Sequence, residues 1–198
     1  DFQKLVKKQN LGLTAKQKFA LQFLVAAIAG SAIAYLPQIH TQYSTVLTFP
    51  FIKNFVLDLG FFYIPFIMIV IVGASNAVNL TDGLDGLAIS TFAVAAATFT
   101  ALAYVTGHRV FALYLDLVHF GPTAELTIFC GALVGASLGF LWWNAHPADI
   151  FMGDVGSLAL GGGLGMLAVF TKNELLSILL GGIFFIEAVR VITQVVSF

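Results

Sequence analysis

The chain has 198 residues, 59% of them hydrophobic and only 10% charged, with a formal net charge of −1. Its mean hydropathy of +0.96 excludes both a disordered chain and an ordinary soluble domain. Long apolar stretches almost free of charge recur along its length, the pattern of an all-α, polytopic helical membrane protein. The bilayer is therefore its first expected partner, and no nucleic acid partner is expected.

The sequence begins with Asp1 rather than Met, shows no apolar signal-peptide core, and runs apolar to Phe198. We expect an internal piece of a longer protein, with spans missing from one or both ends. Six spans can be marked, at about 19–37, 59–78, 87–105, 125–143, 155–170 and 175–196. Each is near the ~20 residues a helix needs to cross the hydrocarbon core, except the fifth. That one is short and dense in glycine (Gly161, Gly162, Gly163, Gly165), so it is expected to start inside the membrane or to bend.

Five of the nine Lys and Arg (Lys4, Lys7, Lys8, Lys16 and Lys18) precede the first span, which puts that segment in the cytoplasm. Alternation then places 38–58, 106–124 and 171–174 outside, and 79–86, 144–154 and the C-terminal end inside. Arg109, Asp116, His40, His108 and His119 read as solvated outer surface. In the fourth span Gly131, Gly135 and Gly139 form a stripe that allows close helix–helix contact, and the third offers an alanine-rich face for the same purpose. Trp142 and Trp143 fall at the inner interface and Tyr35 at the outer one. The single cysteine, Cys130, allows no disulfide framework and reads as a buried packing residue.

Two acidic, glycine-bearing clusters interrupt the apolar pattern, 79–86 (Asn-Leu-Thr-Asp-Gly-Leu-Asp-Gly) and 151–157 (Phe-Met-Gly-Asp-Val-Gly-Ser). A carboxylate in a bilayer costs about 2.5–3.5 kcal/mol on insertion scales, so three acids in two short clusters need a reason. On a helical turn Asp82 and Asp85 would project from one face, and Gly83 and Gly86 would let a large ligand approach the backbone. Carboxylates so spaced suit Mg²⁺, which takes one or two protein oxygens and fills its octahedron with water and phosphate. Asp82 could equally serve as a helix N-cap. The same holds for Asp154 between Gly153 and Gly156, where a helix N-terminus also attracts phosphate. Phe151 has little core to join in a polar loop, and stacking on a base or ring is open to it. Asn76, Asn79 and Asn144 sit at inner span ends, where Asn commonly caps. Glu187 and Arg190 can neutralise each other, and His146 is a lone inner-face histidine.

The stretches 76–88 (Asn-Ala-Val-Asn-Leu-Thr-Asp-Gly-Leu-Asp-Gly-Leu-Ala) and 147–162, from Pro147 through Phe151 and Asp154 to Gly162, resemble two signature blocks of one superfamily. These are the polyprenyl-phosphate N-acetylhexosamine-1-phosphate transferases, and the form of both blocks is most similar to their phospho-N-acetylmuramoyl-pentapeptide transferase family. The similarity covers essentially the whole chain. It implies a ten-helix protein of which residues 1–198 form the middle, one integral-membrane transferase domain incomplete at both ends.

By this resemblance Asp154 matches the family's Mg²⁺ ligand, and Asp82 an aspartate essential to phosphate chemistry. Asp1 matches the proposed base or nucleophile, the second of an aspartate pair whose first member is missing here, and Lys4 its following lysine. Asp85, Asn144 and Phe151 match positions lining a uridine pocket, with Phe151 on uracil; Asn79 and Leu80 match positions beside the nucleotide. The implied substrates are UDP-MurNAc-pentapeptide and undecaprenyl phosphate. The implied setting is the bacterial inner membrane, with the active site toward the cytoplasm, in cell-wall biogenesis, cell shape and cell division. A homodimer stays open. A relative transferring GlcNAc-1-phosphate is the alternative within the superfamily, and an ion-coupled transporter using the same acids is the more distant one.

Overall fold

The computed structural model describes residues 14–36, 44–50, 52 and 55–197. Helix α1 (Ala15–Tyr35) opens with a capping box. The Gln17 N–H donates to Thr14 Oγ1 and the Thr14 N–H returns to Gln17 Oε1, which starts the helix four residues before its apolar run. A two-stranded antiparallel hairpin follows, β1 (Val46–Thr48) and β2 (Val56–Asp58). Next come α2 (Tyr63–Thr81), α3 (Leu87–Gly107), the short α4 (Arg109–Tyr114), α5 (Thr123–Asn144) and α6 (Gly153–Phe170). The described chain closes with α7 (Glu174–Leu180) and α8 (Gly182–Ser197).

Among the described residues five helices are long and apolar enough to cross a membrane, or six if α7 and α8 count as one bent span. The all-α polytopic expectation therefore holds, with the hairpin and α4 as additions in segments expected to be outer loops. Large apolar side chains such as Val94, Ile128, Leu138 and Trp142 stand exposed on helix flanks, as lipid-facing residues do.

Packing follows small residues. Helix α6 lies backbone to backbone on α2, because a Cβ at Gly161 would sit 2.5 Å from the Ala74 carbonyl oxygen and 2.7 Å from Ser75 Cα. Any larger residue there must push the helices apart, at roughly 1–3 kcal/mol. The Ser75 hydroxyl adds a bond across the interface to the Leu158 carbonyl, 2.8 Å. Val78, Phe92, Phe99, Cys130, Leu164 and Leu167 form one core, so Cys130 is the packing residue expected. A second core joins Ala26 and Ile33 of α1 to Tyr63, Ile67 and Ile71 of α2.

Three local expectations are corrected. Helix α6 is one continuous helix, without a break at its glycines. The sixth span instead breaks by 80° between α7 and α8, at the pair Gly181-Gly182, the residues with the least backbone preference for helix in that segment. The glycine stripe of α5 meets nothing within 4 Å among the described residues, so α5 packs on α3 with other residues and leaves that face open.

Candidate functional site

The start of α1, the end of α2, the start of α3, the end of α5 and the start of α6 all meet at one end of the bundle. Asp82 and Asp85 lie in the turn joining α2 to α3, not on a helical face: α2 ends at Thr81, and the Asp82 N–H caps it by donating to the Val78 and Asn79 carbonyls. Asp82 is thus at a C-terminus rather than an N-cap. Asp154 stands in the first turn of α6, after Met152 at the cap position. At that helix start a carboxylate is favoured, and so is a phosphate.

The two acidic clusters are drawn together. The Asn79 amide nitrogen donates to Ser157 Oγ at 2.8 Å and to Asp154 Oδ1 at 3.4 Å, bridging α2 to α6. Asp82 feels the same neighbour: burial first, and the negative charge of Asp154 second, hold its carboxyl above the usual carboxylate range. Lys18, at the start of α1, makes a charged hydrogen bond to Asp154 Oδ2. Its neighbour Phe19 and the α2 residues Asn76 and Leu80 line an apolar groove of about 510 Å³ between α2, α6 and the α7–α8 pair. The acids therefore lie close in the chain to residues that line the groove.

The second half of the site is a pair of loops. Gly86, at φ +74°, starts α3 in the left-handed region and packs its Cα side on Ala145. Its N–H donates to Asn144 Oδ1 at 3.1 Å, and the Asn144 amide nitrogen donates to the Ile150 carbonyl at 2.8 Å. Asn144 is buried with both ends of its amide engaged, so its placement is that of a clamp between the 82–86 turn and the 145–152 loop. Gly83, by contrast, has open space around it. Across the same junction Asp85 Oδ2 accepts from the Ala148 N–H at 3.3 Å and lies 3.1 Å from His146 Nδ1, a contact that requires the proton on that nitrogen. Phe151 is 73% exposed.

The arrangement thus brings together Asn79, Leu80, Asp82, Asp85, Asn144, Phe151 and Asp154. Asp1 and Lys4 lie outside the described residues. Among the described residues no three His, Cys, Asp or Glu side chains form a cluster of the kind that encloses a metal by itself. The carboxylates of Asp82 and Asp154, close enough for the charge of one to act on the other, are hard-oxygen groups of the kind that could hold an ion such as Mg²⁺, which takes its remaining ligands from water and phosphates. Lys18, Ser157 and Gln22, which bonds the Asn76 amide at 2.8 Å, were not singled out by sequence. The signal for Lys18 was a lysine at the inner end of an apolar span, on the same face as the acids.

Known proteins resemble this chain along nearly all of its length. The curated phospho-N-acetylmuramoyl-pentapeptide-transferase of Oleidesulfovibrio alaskensis is 54% identical over 195 residues, covering 98% of this chain and 53% of the relative. The protein of the same name from Solidesulfovibrio magneticus is 55% identical with the same coverage. That of Pelobacter propionicus is 52% identical over 198 residues, 100% of this chain and 54% of its own. The chain therefore spans about half the length of the curated relatives it matches. The sequence profile of glycosyl transferase family 4 matches residues 6–172, and with the membrane helices and the acidic junction in place, the chain belongs to that family.

Proposed function

We propose that the full-length protein transfers phospho-N-acetylmuramoyl-pentapeptide from UDP-MurNAc-pentapeptide to undecaprenyl phosphate, giving UMP and the lipid-linked pyrophosphoryl sugar, lipid I, of peptidoglycan synthesis. The observation that carries this is the junction itself: Asp82, Asp154 and Lys18 sit together beside Phe19 and Leu80, which line an apolar groove. A water-soluble nucleotide and a membrane-bound phosphate can meet only at such a boundary. The names of the relatives support the muramoyl sugar over the GlcNAc alternative.

In the transfer an oxygen of the lipid phosphate bonds to the β-phosphorus of the nucleotide. The bond from that phosphorus to the bridging oxygen breaks, and the oxygen leaves with UMP. Because two anions must meet, the barrier is largely electrostatic. Lys18 brings positive charge beside the groove, and the N-terminus of α6 favours a phosphate through its dipole. Asp154, with Asp82, would hold Mg²⁺, which when bound offsets charge on the pyrophosphate and the leaving UMP. Asp85 and Phe151 serve the uridine, the exposed ring stacking on uracil, while Asn144 holds their loops in register and Asn79 and Leu80 border the nucleotide. Asp1 and Lys4 complete the phosphate chemistry. The site faces the cytoplasm of the bacterial inner membrane, as the N-terminal lysines direct.

Full-length protein given both substrates with Mg²⁺ should release UMP and form lipid I, and excess EDTA should abolish both. Full turnover in EDTA would sink the metal assignment, and turnover with UDP-GlcNAc alone would move the chain to the alternative. A cysteine replacing the exposed Leu84 should react with an impermeant thiol reagent only from the cytoplasmic side, and one replacing the exposed Tyr114 only from outside. The reverse pattern overturns the orientation.

A further inference from the structure

The end of the bundle remote from the acids holds a second set of charges that the transfer does not use. Glu174, the first residue of α7, is 1% exposed. Its Oε1 accepts the Tyr63 hydroxyl at the start of α2, and its Oε2 has no hydrogen-bond partner among the described residues. The Lys172 ammonium lies 4.0 Å from Glu174 and 4.1 Å from the centre of the Tyr63 ring. It donates to the Tyr63 hydroxyl at 2.7 Å, to the Ser44 carbonyl at 3.0 Å and to the Val46 carbonyl at 3.4 Å. Thr48 of β1 donates in return to the Lys172 carbonyl at 2.5 Å. One cluster therefore ties together the hairpin, the start of α2, the turn after α6 and the start of α7.

Burying such charges is costly, and an apolar replacement of similar volume is often as stable. What a buried ionic cluster supplies in such cases is a single fixed arrangement. Here the element that needs fixing is α7, joined to α8 by Gly181-Gly182 at an 80° break that glycine does nothing to stiffen. Glu174 also lines the apolar groove, together with Leu175, Ser177 and Ile178 of the same short helix. The position of α7 is thus the position of the groove's far wall.

We propose that Tyr63, Lys172 and Glu174 are positioning residues that hold α7 against α2, and so shape the far half of the groove for the polyprenyl chain of the acceptor. This rests on the reading that the groove takes that chain. It deepens it by assigning a determinant of acceptor chain length at the end opposite the chemistry. A long chain reaches the wall that α7 forms; a short one, bound beside the acids, does not.

The test compares undecaprenyl phosphate with farnesyl phosphate as acceptors for the full-length protein. Glu174→Leu should raise KM for undecaprenyl phosphate about tenfold, with KM for farnesyl phosphate and for UDP-MurNAc-pentapeptide within about twofold of wild type. Glu174→Gln, which keeps an acceptor for Tyr63, should stay near wild type. Should Glu174→Leu not fold, Tyr63→Phe removes only the hydroxyl and should give a smaller rise, about threefold, confined to the long acceptor. Equal shifts for both acceptors, or none for either, in a folded variant would overturn the proposal alone. A wild-type protein that transfers to neither acceptor would overturn the functional reading and this proposal with it.

Discussion

At one end of the bundle Lys18, Asp85 and Asp154 keep their charges partly in water, whereas at the other Lys172 and Glu174 are enclosed by protein. Both ends contain a lysine beside a carboxylate, yet the physics differs. An exposed pair contributes about 0–1 kcal/mol and exchanges partners readily, while removing one member of a buried pair costs about 3–5 kcal/mol. Charges that contribute little to folding are free to serve a substrate. Charges that are locked in place serve geometry.

The contrast breaks most sharply at Asp154. In the full-length protein Asp154→Asn should lower kcat by about a thousandfold or more with little change in melting temperature, because it would remove the proposed Mg²⁺ ligand at developing phosphate charge. Asp149→Asn, in the loop just before α6, should matter far less, and equal losses at both positions would make this segment merely structural. The inverse profile is expected of Lys172→Met, a loss of about 3 kcal/mol in stability seen as a lowered melting temperature. Lys18→Met should cost less than about 1 kcal/mol by the same measurement, its side chain being 40% exposed. If the two lysines destabilise alike, the two ends do not differ as described.

Smaller effects sharpen the division within the acidic end. Phe151→Ala should raise KM for the UDP-sugar roughly ten- to a hundredfold and alter kcat much less, since stacking on a base is worth about 1–3 kcal/mol and uracil is remote from the reacting phosphate. An unchanged KM with a lowered melting point would refute the stacking role. The smallest effect concerns Asp82, whose pKa lies above the usual 3.8 through burial and the charge of Asp154. Protonation of Asp82 therefore favours the folded state: its contribution is fully present below 3.8 and is lost as pH rises through the folded value. Asp154→Asn should move the Asp82 carboxyl titration, followed by infrared absorption, down toward 3.8 while burial keeps it from arriving there. No movement would mean that the two carboxylates do not sense each other.

The helices were legible because apolar runs of bilayer length have few alternatives, and the acidic clusters because charge beside a membrane is conspicuous. The side on which each loop falls follows from alternation alone, which is why Asp82, Asp85 and Asp154 could be expected to meet. The break in the last span escaped because hydropathy is blind to direction; only Gly181-Gly182 marked it, and in the glycine-dense fifth span Gly161 and Gly165 proved instead to be points of close contact with α2. The cluster of Tyr63, Lys172 and Glu174 escaped because its members are 109 and 111 residues apart in pairing with Tyr63, and nothing local announces them. Asn144 was legible as a position but not as a clamp, since only the fold shows its amide spanning two loops.

That clamp has a thermodynamic consequence. Two separate loops would each have to be immobilised when a nucleotide arrives, at roughly 1–2 kcal/mol of conformational entropy per residue fixed. With the Asn144 amide already joining the 82–86 turn to the 145–152 loop, much of that ordering is met once, when the chain folds. Ligand affinity is then spent less on organising the site and more on recognising what enters it.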